Sequence, residues 1–98
     1  MIIKKVLEQL ETAVIPVAKI IQSNENYKAI LIGLKKGMTW KEHKTDVPTR
    51  LVVMEGSVVY KADGTGVALH KHDDFEIPVH ILHALEAKED SLCFLIQG

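Results

Sequence analysis

Gly37-Met38-Thr39-Trp40-Lys41-Glu42-His43-Lys44-Thr45-Asp46-Val47-Pro48-Thr49-Arg50-Leu51-Val52-Val53-Met54-Glu55-Gly56 is the stretch on which the reading of the fold turns. Its second half is rich in β-branched and apolar residues and contains no proline or glycine between Thr49 and Glu55. Successive side chains of a strand point to opposite faces. Thr49, Leu51 and Val53 therefore share one face and Arg50, Val52 and Met54 the other. The glycines at both ends punctuate the stretch as turns do. Met38 and Trp40 could line a pocket mouth, but core packing is the reading preferred for a single tryptophan in a small chain.

The same texture extends in both directions. After Gly56 come a strand from Ser57 to Ala62, the hairpin signal Asp63-Gly64 and a return from Thr65 to Leu69. Asp73-Asp74 opens another turn, Phe75-Glu76-Ile77 is a short strand and Pro78 closes it. Leu82–Ala87 and Leu92–Gln97 follow, separated by Lys88-Glu89-Asp90-Ser91. Upstream, Val17–Ile21 and Tyr27–Leu34 flank the polar turn Ser23-Asn24-Glu25-Asn26. Val6, Leu7 and Leu10 suit a short amphipathic helical turn or an irregular lead-in, and Pro16 prevents a helix from continuing. Many short strands with this punctuation predict an all-β sandwich or small antiparallel barrel. Residues 1–98 are read as a single domain, with 1–16 as the lead-in and 17–98 as the barrel.

Composition narrows the function classes. The chain has 98 residues, with 12 Lys and Arg against 13 Asp and Glu and a formal net charge of -1. That balance offers no electrostatic reason to expect a nucleic acid or an anionic membrane as partner. Lys4-Lys5 and Lys35-Lys36 are isolated pairs and read as solvated surface. The lone cysteine, Cys93, sits in the apolar run Leu92–Ile96 and reads as a buried, inert thiol. The N-terminal residues lack the apolar region of a signal peptide, and no run is long enough to span a membrane. A reduced, cytoplasmic setting is the expectation.

Histidines supply the first chemical clue. In Leu82–Ala87, the strand parity groups His83 with Ile81, Leu85 and Ala87, and sets it apart from Ala84, Glu86 and Lys88. His83 thus points inward, either as a hydrogen-bonded core histidine or as a ligand.

Here the chain resembles the cupin superfamily, over roughly Lys19 to the end. That family's first motif runs Gly, five residues, His-x-His, three or four residues, Glu, six residues, Gly. The corresponding positions are Gly37, His43-Lys44-Thr45, Thr49 and Gly56, and every interval fits. Its second motif runs Gly, five residues, Pro-x-Gly, two residues, His, three residues, Asn. Here it meets His72, Pro78-Val79-His80, His83 and Ala87, again with every interval matched. The resemblance implies a small antiparallel jelly-roll barrel enclosing a site at His43, Thr45, Thr49 and His83. In the family these positions bind a divalent metal. Two of the four have become threonines here. A neutral hydroxyl is a poor ligand for first-row metals, and the anionic ligand is missing. By parity neither Glu42 nor Asp46 replaces it.

Two functional readings follow. One is a cupin-like protein that binds a small polar or anionic molecule through His43, Thr45, Thr49 and His83, with no cofactor expected. The other is a metal-dependent enzyme of the dioxygenase or isomerase type. It would use His43 and His83, with His80 or substrate oxygens completing the coordination of a divalent ion. His80 enters that set only if its turn curls inward, and His70 and His72 read as surface. A scaffolding protein with a filled barrel is a third possibility. The residues leave open whether there is catalysis, and on which molecule.

A homodimer is also expected. Ala29, Leu31 and Gly33 alternate with Ile30, Ile32 and Leu34, and Leu92, Phe94 and Ile96 alternate with Cys93 and Leu95, so both strands are apolar on both faces. One face of a lone antiparallel strand pair should be polar. A partner, or the N-terminal segment, is needed to cover the second face. A charge placed there, as in Ile32→Asp, is expected to break the association.

Overall fold

The computed structural model describes residues 1–98, apart from the side chains of Glu42 and His43. A helix, α1 (Ile2–Thr12), precedes the strands β1 (Val17–Ser23), β2 (Lys28–Leu34), β3 (Thr39–His43) and β4 (Thr49–Glu55). β5 (Ser57–Ala62), β6 (Thr65–His70), β7 (Asp74–Ile77), β8 (His83–Ala87) and β9 (Ser91–Gln97) complete the order. They form two antiparallel sheets, β1-β2-β9-β4-β7 and β3-β8-β5-β6. This is the expected all-β jelly-roll barrel. β4 and β5 have the bounds read from their residues, and the other anticipated strands differ by a residue or two at their ends.

Alternation along each strand builds the interior. Ile32 and Leu34 of β2, Leu51 and Val53 of β4, and Cys93 and Leu95 of β9 face Val58 and Tyr60 of β5, Leu69 of β6, and Leu85 and Ala87 of β8. Met38 and Trp40 are half-buried against this cluster, which agrees with the packing reading. Burial pushes the Cys93 thiol up to about 12, so it stays protonated and inert.

Ile32 belongs to this inner core and is fully buried. A charge there would test folding rather than association, which corrects the expectation for Ile32→Asp. The second face is that of Ala29, Leu31 and Gly33 on β2 and of Leu92, Phe94 and Ile96 on β9, aligned by the β2–β9 register. α1 covers one end of it. Val6, Leu31 and Leu92 form a second buried cluster, with Met54 and Phe94 packed against it. Gly33 lets the helix lie close, since a Cβ there would meet Val6 and Leu10 side-chain carbons at 3.2 Å. The helix is longer than the anticipated turn, because its buried face docks on the sheet. The Lys35 ammonium donates to the Glu11 carbonyl at 2.6 Å and satisfies one of the helix's terminal acceptors.

The β4–β5 connection is a single residue, Gly56, and it is tightly enclosed. Ser57 N donates to Ser91 Oγ at 3.1 Å, and the Ser57 hydroxyl donates to Glu89 at 2.9 Å. Gly56 has φ +82°, and a Cβ on it would run into the Asp90 carbonyl oxygen and Ser91. Gly64 in the β5–β6 turn is also left-handed, at φ +74°, but opens to free space. Chemical denaturation should separate the two effects. Gly64→Ala is expected to cost about 1–2 kcal/mol from backbone strain alone. Gly56→Ala should cost at least about 2 kcal/mol more, because the backbone of β9 must also move.

Candidate functional site

His83 opens β8 on the inward face with Leu85 and Ala87, and only 1% of it is exposed. Its Nδ1 lies 3.1 Å from the Ile81 carbonyl oxygen. A carbonyl can only accept, so Nδ1 carries the hydrogen, and in the neutral ring Nε2 holds the lone pair. The β3–β8 register places the backbone of His43 directly opposite His83, beyond an irregularity after Trp40. The His43 side chain lies outside the described residues.

Thr45 and Thr49 are brought together. Both are buried, and their hydroxyl oxygens are 3.0 Å apart. Each hydroxyl is also 3.0 Å from the Val47 carbonyl oxygen. Two hydroxyl hydrogens serve these three contacts, so at most two are made at once. Thr49 is anchored by the inward parity of β4, while Thr45 sits in the connection before it. The pair closes a small turn around Val47.

His80 stands apart from this cluster. It is 67% exposed by side chain, and its Nδ1 is 3.3 Å from the Asp46 carboxylate. Its backbone is engaged instead, as its N–H donates to the Thr45 carbonyl at 2.9 Å. His80 and His72 occupy the positions of motif glycines, and both retain a left-handed backbone, with φ 63° and 74°. His70, the last residue of β6, and His72, in the β6–β7 connection, are both exposed, and the His70 ring lies 3.8 Å from Asp73.

Sequence reasoning missed Tyr60. It is 4% exposed, and its ring meets Phe75, at a centroid distance of 4.7 Å, and His83, stacked at 5.3 Å with 29° between planes. Its hydroxyl is buried and has no hydrogen-bond partner among the described residues. Burial, with a smaller push from the Asp63 charge, raises its pKa above that of a free phenol. The inward parity of Val58, Tyr60 and Ala62 was visible in the sequence. The β5–β8 register that sets Ala62 opposite His83 was not.

Among the described residues, no group of three or more His, Cys, Asp or Glu side chains is arranged to hold a metal ion. An open hollow of about 400 Å³ lies at the β5–β6 hairpin, lined in part by Lys61, Asp63, Leu82 and Ala84. Ala84 is on the opposite face of β8 from His83, so this hollow lies outside the barrel. Its walls offer no buried polar group of the kind that marks the interior.

No family model and no curated protein matches the sequence. Solved structures do match in fold. An RmlC-like cupin from Desulfovibrio desulfuricans superposes with a TM-score of 0.80 at 20% identity, over 86% of this chain and 82% of that one. KdgF from Halomonas sp. gives 0.75 at 22% identity, over 88% and 82%. Salicylate 1,2-dioxygenase from Pseudoaminobacter salicylatoxidans, seen in adducts with gentisate, gives 0.86 at 16% identity. That match covers 98% of this chain but 31% of the dioxygenase. No helix among the described residues is long and apolar enough to cross a membrane. With two antiparallel sheets enclosing one core, the intervals of both motifs kept and these neighbours matched in architecture, the chain has the cupin fold.

Proposed function

We propose that this chain binds a small polar or anionic organic molecule inside its barrel, with no resident metal, and that it does so as a single-domain homodimer of the cytoplasm. The observation that carries this reading is the threonine pair. Thr45 and Thr49 stand where the resemblance implies an imidazole and a carboxylate, and their hydroxyls contact each other and the Val47 carbonyl. Neutral hydroxyls neither neutralise a cation nor compete well as ligands for first-row metals. The donor set therefore does not fit a tightly held ion. Hydroxyl and imidazole groups at the edge of an apolar interior suit hydrogen bonding to an organic ligand.

The alternative is a metal-dependent dioxygenase or isomerase using His43 and His83, with His80 added. The fold shared with salicylate 1,2-dioxygenase favours it. Against it, His80 would have to leave Asp46 and turn inward.

Metal analysis on protein purified without chelator or metal-binding tag separates the two readings. The expected result is no stoichiometric zinc, nickel, iron or manganese after dialysis. One ion per chain, lost on His43→Ala, would overturn the metal-free reading and favour the alternative. The double variant Thr45→His/Thr49→Glu should gain a dialysis-resistant ion. Outer-shell partners alone change metal affinity by about 10–100-fold, so two direct ligands should tighten it by more than that.

The homodimer rests on the second face of the larger sheet. α1 covers Leu31 and Leu92, but Val52 and Phe94 remain half-exposed and Ile96 is 46% exposed. Each large side chain fully covered contributes roughly 1.5–3 kcal/mol. A two-fold contact on this strip would bury several at once. Light scattering should give twice the chain mass for wild type and the monomer mass for a folded Ile96→Asp. A wild-type monomer at micromolar concentration would rule the dimer out.

A further inference from the structure

The edge strand of a sheet presents unpaired backbone N–H and C=O groups, and proteins usually guard it with charge, proline, a bulge or brevity. The two sheets have four edges, β1, β7, β3 and β6. β1 follows Pro16, carries Lys19 and is interrupted by a register shift between Ile20 and Gln22. β7 has four residues, carries Asp74 and Glu76 and is followed by Pro78. β3 carries Lys41 and loses its regular register after Trp40. β6 has none of these guards. Its six residues, Thr65-Gly66-Val67-Ala68-Leu69-His70, include no proline and no Asp, Glu, Lys or Arg, and all six pair with β5 in unbroken register. Thr65, Gly66, Val67 and Ala68 are exposed.

The hairpin fixes which backbone groups are left over. Asp63 and Gly64 both have positive φ, 50° and 74°, so the two-residue turn is of type I′ and Ala62 with Thr65 is a hydrogen-bonded pair. Such pairs alternate along an antiparallel ladder. Thr65, Val67 and Leu69 therefore bond to β5, while Gly66, Ala68 and His70 turn their N–H and C=O groups to the open edge. His70 is satisfied by Asp73, whose carboxylate accepts from His70 N at 2.7 Å and whose N–H donates to the His70 carbonyl at 2.9 Å. The outward groups of Gly66 and Ala68 have no such partner among the described residues. We propose that this edge pairs with β6 of a second copy of the chain, antiparallel about a two-fold axis at Val67, so that the two four-stranded sheets join. Gly66 of each copy then faces Ala68 of the other, and the copies exchange backbone hydrogen bonds at both pairs. Val67, 37% exposed, meets its counterpart at a non-hydrogen-bonded position, where side chains come closest. Continuing the register outward brings Asp63 toward Lys71 of the second copy at both ends, with charges of opposite sign. The edge is thus complementary to itself, whereas Gly66 and Ala68 form no side-chain pockets that would select a foreign peptide. The contact belongs to the smaller sheet and is separate from the apolar strip of the larger one.

One short strand a side makes a small interface, below about 1,000 Å², so the contact is weak and grows with concentration. The test follows amide exchange with water at Gly66 and Ala68 by NMR, in protein at about 50 µM and about 1 mM. Exchange at both amides should be slower by at least about threefold in the concentrated sample. Ile96→Asp, which removes the strip contact, should keep that difference. Ala68→Pro takes away an outward N–H without a bond to β5, and Val67→Lys sets two ammonium groups opposite each other. Each should abolish the difference at Gly66, with the Leu69 amide, bonded to β5, reporting that the hairpin is intact. Equal rates in the two wild-type samples would overturn the proposal, whether fast, from a bare edge, or slow, from an edge already covered. Slowing that survives in both Ala68→Pro and Val67→Lys, or that disappears in Ile96→Asp, would place the contact elsewhere and overturn it as well.

Discussion

Two antiparallel sheets face each other across one hydrocarbon interior, and a polar atom enclosed there must find a hydrogen bond close to where the backbone leaves it. Most of this barrel's organisation follows from that requirement. At one end, Ser57 and Ser91 exchange bonds that tie the start of β5 to the start of β9. Near the opening of β8, His83 is oriented by the Ile81 carbonyl. Before β4, the two threonines close on Val47. Tyr60 is the departure among the described residues, and its ring stacks on His83.

The turns separate architecture from chemistry. His72 and His80 replace glycines of the second motif, yet both keep a left-handed backbone. Such a conformation costs a non-glycine residue roughly 1–2 kcal/mol. It is held by backbone bonds, from His72 N to the Val53 carbonyl at 2.7 Å and from His80 N to the Thr45 carbonyl at 2.9 Å. These bonds join the turns to β4 and to the connection before it. Barrel closure therefore demands the turn geometry whatever side chain projects from it. The positions of Thr45 and Thr49, where the resemblance implies metal ligands, are under no such demand, and threonine occupies them without disturbing the strands.

The N-terminal helix answers a problem posed by β2 and β9. A strand apolar on both faces needs cover on both, and the inner core serves only one. Val6 and Leu10 bring α1 onto Gly33, Leu31 and Leu92, and Lys35 secures the helix end. The cover stops short of Ile96. What remains is a strip of hydrocarbon that continues from the helix-covered patch along the same sheet face.

The positions of every strand but β3, the shared face of Thr49, Leu51 and Val53, and the inward direction of His83 were determined by the sequence alone. They are local properties: a period of two, and breaks at glycine, proline and aspartate, can be read within a few residues. The motif intervals also specified which positions of the barrel now carry threonine. The tertiary structure decided that Leu31 rather than Ile32 faces the helix, that His80 turns out to Asp46, and that Tyr60 stacks on His83. Each depends on sheet order and on registers between strands far apart in the chain. Where both faces of a strand are apolar, parity cannot say which is inside. Only the pairing of β2 with β9, and of β5 with β8, settles which side chains meet.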